Sequence, residues 1–85
     1  MDPYAELDEI VEQLRRLGVE VRSERLGGDG GGACVIRGTP VVFVDSDADI
    51  ATRITRCVEA LAAQPSVDSL YLPPALRERV DRLRG

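Results

Sequence analysis

Histidine and lysine are both missing from this chain of 85 residues, so all 11 basic side chains are arginine. Without histidine there is no imidazole general base, no Ser-His-Asp triad and no imidazole metal ligand. Without lysine there is no Schiff-base amine and no phosphate-loop lysine. The commonest hydrolase and transferase mechanisms fall with them, and no residue is assigned a catalytic role. Positive charge is in deficit too. The formal net charge is −4 and the sequence pI about 4.7, which argues against general binding to nucleic acid, a polyanion that needs a cationic face.

Cysteine is scarce. Cys34 and Cys57 are too few for a disulfide scaffold, and their spacing matches no zinc knuckle. No apolar run approaches the length of a membrane span, and the acidic N-terminus lacks the hydrophobic segment of a signal peptide. A cytoplasmic protein with no membrane partner, no metal and no cofactor is therefore expected.

What is present reads as one small globular domain over residues 1–85, with 44% hydrophobic and 31% charged residues. Such a length supports a single core of modest stability unless a partner covers part of the surface. Asp2-Pro3 is a helix start, with aspartate as cap and proline in the first turn. Tyr4, Leu7, Ile10, Val11, Leu14 and Leu17 then recur at spacings of three and four, and Gly18 ends the helix. Val19, Val21 and Ser23 alternate with charged residues and predict a half-buried strand. Two more β-rich runs, 33–37 and 41–44, flank Gly38-Thr39-Pro40 and predict a hairpin. The second of these is apolar throughout, as suits the centre of a sheet.

Ser46-Asp47-Ala48-Asp49 reads as a capping box opening a helix over about 47–63, with Ile50, Ile54, Cys57, Val58 and Leu61 inward. Leu70-Tyr71-Leu72 predicts a short fourth strand, parallel to 41–44 because a helix connects the two. Pro73-Pro74 then starts a last helix with Leu76, Val80 and Leu83 inward. The fold class expected is α+β: a two-layer sandwich in the order αβββαβα, with a four-stranded mixed sheet and helices mainly on one face.

Three constellations invite a chemical reading. Gly27-Gly28-Asp29-Gly30-Gly31-Gly32 places five glycines around one aspartate. Gly28, Gly30 and Ala33 fit the spacing of a dinucleotide fingerprint, but that motif needs a helix after the loop, and here a strand follows. The loop's own N–H groups could still cradle an anion, with Gly28, Asp29, Gly30 and Gly31 as the loop part of the site and Arg25 and Arg37 as flanking cations; a mobile inter-strand connection is the plainer reading. Asp45, Asp47 and Asp49 open like a calcium loop, yet Ile50 stands where the turn glycine belongs and Arg56 where the closing glutamate belongs. Cys34 and Cys57 are candidates for thiol chemistry, against the simpler role of small core filler.

The run Gly38–Ala62 resembles the strand-then-helix core of the ImmA/IrrE-type zinc metallopeptidases, where a strand like Val41-Val42-Phe43-Val44-Asp45 leads to a helix carrying H-E-x-x-H. Val58-Glu59-Ala60-Leu61-Ala62 stands at that place. Glu59 matches the general base, while Val58 and Ala62 replace both zinc histidines, so the resemblance implies an inactive relative. It covers under a third of the chain. The overall pattern of glycine loop, Cys34 strand, Phe43-Val44-Asp45 and Tyr71-Leu72-Pro73-Pro74 also resembles a family of small uncharacterised bacterial proteins.

Charge is unevenly placed. Residues 1–14 carry Asp2, Glu6, Asp8, Glu9 and Glu12 with no base, and residues 75–84 carry Arg77, Arg79, Arg82 and Arg84 against Glu78 and Asp81. That split suits a contact between helices, within or between chains, or two solvated faces. The reading of the whole is a non-enzymatic protein-interaction or homodimerising module, with a small-molecule or anion sensor built on the glycine loop as the alternative.

Overall fold

Proline after a capping aspartate sets the first helix, and the computed structural model, which describes residues 2–85, begins it there. Asp2 Oδ1 accepts from the N–H groups of Tyr4 at 2.9 Å and Ala5 at 3.1 Å, satisfying two of the donors a helix start leaves open. The elements are α1 (Pro3–Arg16), β1 (Glu20–Glu24), β2 (Gly31–Ile36), β3 (Thr39–Asp45), α2 (Ile50–Ala62), a 3-10 turn at Pro65–Ser69 and α3 (Pro74–Arg84).

The sheet has three strands in the order β1-β3-β2, with β1 parallel and β2 antiparallel to β3. Val41-Val42-Phe43-Val44 is its centre, as an unbroken apolar run should be. Val42 and Val44 join the hydrophobic core with Ile10 and Leu14 of α1, Ile54, Cys57, Val58 and Leu61 of α2, and Leu76 and Val80 of α3. Side chains alternate between faces along a strand, so Val41, Phe43 and Asp45 take the other face. There the Arg22 guanidinium lies 5.8 Å from the centroid of the Phe43 ring.

The α+β class stands, but the four-stranded sheet and the order αβββαβα do not. Residues 70–72 form no strand. Both flanks of β3 are already taken, Val42 pairing with Val21 on one side and Ala33 on the other, so the parallel partner of β3 is β1. Leu72 is buried in the core instead. The Leu70 carbonyl accepts from Arg77 Nη2 at 3.0 Å, a bond to a side chain in place of a ladder bond.

Smaller boundaries also move. The hairpin turn is Arg37-Gly38, both at positive φ (52° and 81°), the geometry that two-residue hairpin loops favour, and Thr39-Pro40 already belong to β3. The cap of α2 is Asp49, whose Oδ1 accepts from Thr52 N at 2.7 Å, so the helix starts at Ile50 and not near 47. The Asp49 carboxyl is held below its ordinary pKa, chiefly by the backbone and side-chain hydrogen bonds of Thr52. Leu83, expected inward, is exposed in the last turn of α3.

Candidate functional site

The connection from β1 to β2 must pass over the C-terminal end of β3, because β3 lies between them. Glu24 pairs with Asp45 on one side of that end and Gly31 with Val44 on the other. Residues 25–30 make the crossing. A carboxylate buried there needs hydrogen-bond donors to replace water, and Asp45, 0% exposed, finds them in the glycine loop. Its Oδ1 accepts from Leu26 N at 3.0 Å and from Asp47 N at 2.8 Å. Its Oδ2 accepts from Gly28 N at 2.7 Å and Gly30 N at 3.1 Å. Burial pushes the Asp45 carboxyl up, and these four N–H donors overcome that and hold its pKa at about 2.

Asp47 completes the clasp. Its Oδ2 accepts from Gly27 N at 3.0 Å and its Oδ1 from Arg25 Nε at 3.1 Å. The glycines are what allow so tight a wrap. Gly31 has φ +80°, and a Cβ there would stand 2.1 Å from the Phe43 carbonyl oxygen; at Gly30 (φ +97°) it would meet Thr52 Cγ2 at 3.0 Å. The loop is thus an anion nest whose anion is a side chain of the same chain.

This geometry sorts the residues of the anion-site reading. Gly28 and Gly30 direct their N–H groups inward to Asp45, Gly31 is the first residue of β2, and Asp29 is exposed at the loop. Arg25 is paired with Asp47. Arg37 lies in the hairpin turn at the far end of β2, six strand residues or about 20 Å from the loop, so the two arginines do not converge. Asp45, Asp47 and Asp49 likewise serve three separate partners: loop amides, Arg25 with Gly27, and the start of α2. Among the described residues no group of three or more acidic, cysteine or histidine side chains is placed to hold a metal ion. Asp45 as the partner of the loop is not evident from the glycine run itself. The signal was an aspartate ending an apolar central strand, next to a loop rich in unassigned N–H groups.

The other sequence candidates fall elsewhere. Cys57 is buried, and burial alone pushes its thiol up to about 11, as a core filler behaves. Cys34 is exposed on β2, contrary to the core role. Glu59 sits on the solvent side of α2, paired with Arg56 at 2.9 Å, while its neighbour Val58 is buried. Of the terminal charges, Arg79 of α3 reaches Glu6 of α1 at 2.5 Å. Arg82 pairs locally with Glu78, and Arg77 and Arg84 pair with Asp68 of the 3-10 turn.

One surface remains unaccounted for. β2 is an edge strand with no charged residue between Gly31 and Ile36. Cys34, Val35 and Ile36 are all exposed, Val35 by 70%. The opposite edge, β1, is guarded by exposed Glu20, Arg22 and Glu24, with Arg22 ion-paired to Glu20. Native sheets usually blunt an edge with charge in just this way, so the bare edge is the exception. No protein-family model, curated protein or solved structure matches the chain.

Proposed function

We propose that the chain is a non-enzymatic homodimerising module whose two copies join along β2, as antiparallel neighbours in one six-stranded sheet. The observation that carries this reading is the uncharged, apolar edge of β2 beside a charged β1 edge. About half of the β2 residues turn their N–H and C=O groups away from β3, and an added antiparallel strand satisfies them. A two-fold axis normal to the sheet brings β2 against itself with no like charges facing, and the assembly closes at two copies. Pairing β2 of one copy with β1 of the next would instead set Glu20, Arg22 and Glu24 against an apolar strand and would propagate without closing. The missing catalytic residue types and the small core agree with a module that works by association.

Sedimentation velocity across a hundredfold concentration range tests the proposal. The expected result is a monomer–dimer equilibrium that Val35→Lys weakens by at least about tenfold, roughly 1.4 kcal/mol, with the fold unchanged because Val35 is exposed in the monomer. In the register that sets Cys34 opposite the partner's Cys34, a short bis-maleimide joins the two copies. A strict monomer at every concentration sinks the idea, as does a dimer indifferent to Val35→Lys and Ile36→Lys.

A further inference from the structure

α1 and α3 both pack on α2 but splay apart, leaving between them a groove of about 280 Å³. Its apolar lining comes from Ile10, Pro73, Ala75 and Leu76. Its polar lining comes from Glu6 and Glu9 on the α1 wall and Arg79 on the α3 wall. We infer that this groove binds a small organic monocation, an alkyl- or arylalkylammonium, with its apolar body on Ile10 and Leu76 and its ammonium on Glu9.

Arg79 Nη1 lies 2.5 Å from Glu6 Oε1, so those two charges neutralise each other across the groove. Glu9 has no such partner: among the described residues no cation lies within ion-pair distance of it. Two carboxylates against one guanidinium leave the lining one negative charge in excess, which a monocation cancels and an anion compounds. The Glu9 carboxylate is also preset. It accepts from Gln13 Nε2 at 3.1 Å, and Gln13 is a buried side chain, 3% exposed. The other end of that amide, Oε1, is buried without a donor. Rotating the amide would aim Oε1 at the carboxylate, so Gln13 keeps its N–H side towards Glu9 and fixes it at the groove wall.

Size limits the ligand. Pockets for drug-sized molecules run from about 300 Å³ upward, and this groove falls just short, fitting one ring or a short chain bearing the ammonium. An apolar floor with one convergent charge rewards a molecule that is greasy at one end and cationic at the other. The site uses no residue of β2, so it stands or falls apart from dimer formation.

Phenethylammonium chloride titrated at low ionic strength, read by methyl NMR shifts of Ile10 and Leu76, is the test. Saturable shifts at those methyls are expected, weakened by added salt because the attraction is screened. Glu9→Gln should weaken binding about tenfold, the value of one charge-assisted hydrogen bond. Ala75→Trp, at an exposed position, should fill the groove and abolish binding while leaving the melting temperature unchanged. Phenylacetate, with the same ring and the opposite charge, should not saturate. The inference is overturned if phenethylammonium gives no saturable shift, if phenylacetate binds as well, or if Glu9→Gln binds like the parent protein.

Discussion

Two adjacent glycines separate what the clasp demands from what it tolerates. A methyl on Gly31 would collide with the backbone of β3, and the residue's φ of +80° is one that side chains rarely adopt. Gly31→Ala should therefore destabilise by about 2–4 kcal/mol in urea unfolding. Gly32 has ordinary φ and open space around its missing Cβ. Gly32→Ala should be neutral or stabilising by about 0.4–1 kcal/mol, through the unfolded chain. Asp45 carries the larger part of the pH dependence, with the Thr52-bound Asp49 adding to it in the same direction. The Asp45 carboxyl titrates near 2 in the fold against an ordinary value of 3.8. A depressed pKa means the stabilisation is complete above about pH 4 and drains away as pH falls from there towards 2. Acid unfolding should show that loss. Asp45→Asn should remove most of it and lower the melting temperature at neutral pH, because an amide offers N–H groups where two N–H donors already point.

Among the elements, the segment 70–72 is the informative one. An apolar triplet before prolines reads equally as a strand or as extended chain laid on a core, and periodicity alone does not separate the two. What decides is the occupancy of β3, fixed by pairings from residue 20 to residue 41 that no local pattern reveals. Leu72→Ala should cost about 2–5 kcal/mol as a core truncation. Tyr71→Ala, at a side chain 81% exposed, should change stability by less than about 0.5 kcal/mol. By contrast α1 and α2 are largely legible in the sequence, since three-four spacing is a local signal. Ile10 and Leu14 of α1 and Ile54, Cys57, Val58 and Leu61 of α2 are buried as marked, although Tyr4 is exposed, Gln13 is buried unannounced and the cap of α2 is Asp49. The glycine loop is half legible. Its composition admits an anion nest beside the plainer reading of a mobile connection, but the anion lies fifteen to nineteen residues on, at Asp45.

For the molecule as a whole, α1 and α2 pack on the three-stranded sheet and α3 packs on α2, and a chain this short gains little stability to spare from its core. Association along β2 would then be part of what keeps it folded. The melting temperature should rise with protein concentration, as mass action requires of an associating fold. Val35→Lys should flatten that rise and bring the high-concentration value down to the dilute one. A scan of calorimetric midpoints over the same concentrations used for sedimentation reads both effects.

The crossing of residues 25–30 over the end of β3 has a temporal side. Among the described residues β1 and β2 take their ladder partners from β3, which follows both, and the donors at Leu26, Gly28 and Gly30 close on the carboxylate at position 45. Nothing in the first 38 residues can pair as this sheet, whereas α1 closes its own hydrogen bonds. Neither β1 nor β2 therefore has its partner in this sheet until Thr39–Asp45 stands between them. The loop that dominates the sequence by eye thus takes its shape from a strand that follows it in the chain, since its N–H donors close on Asp45.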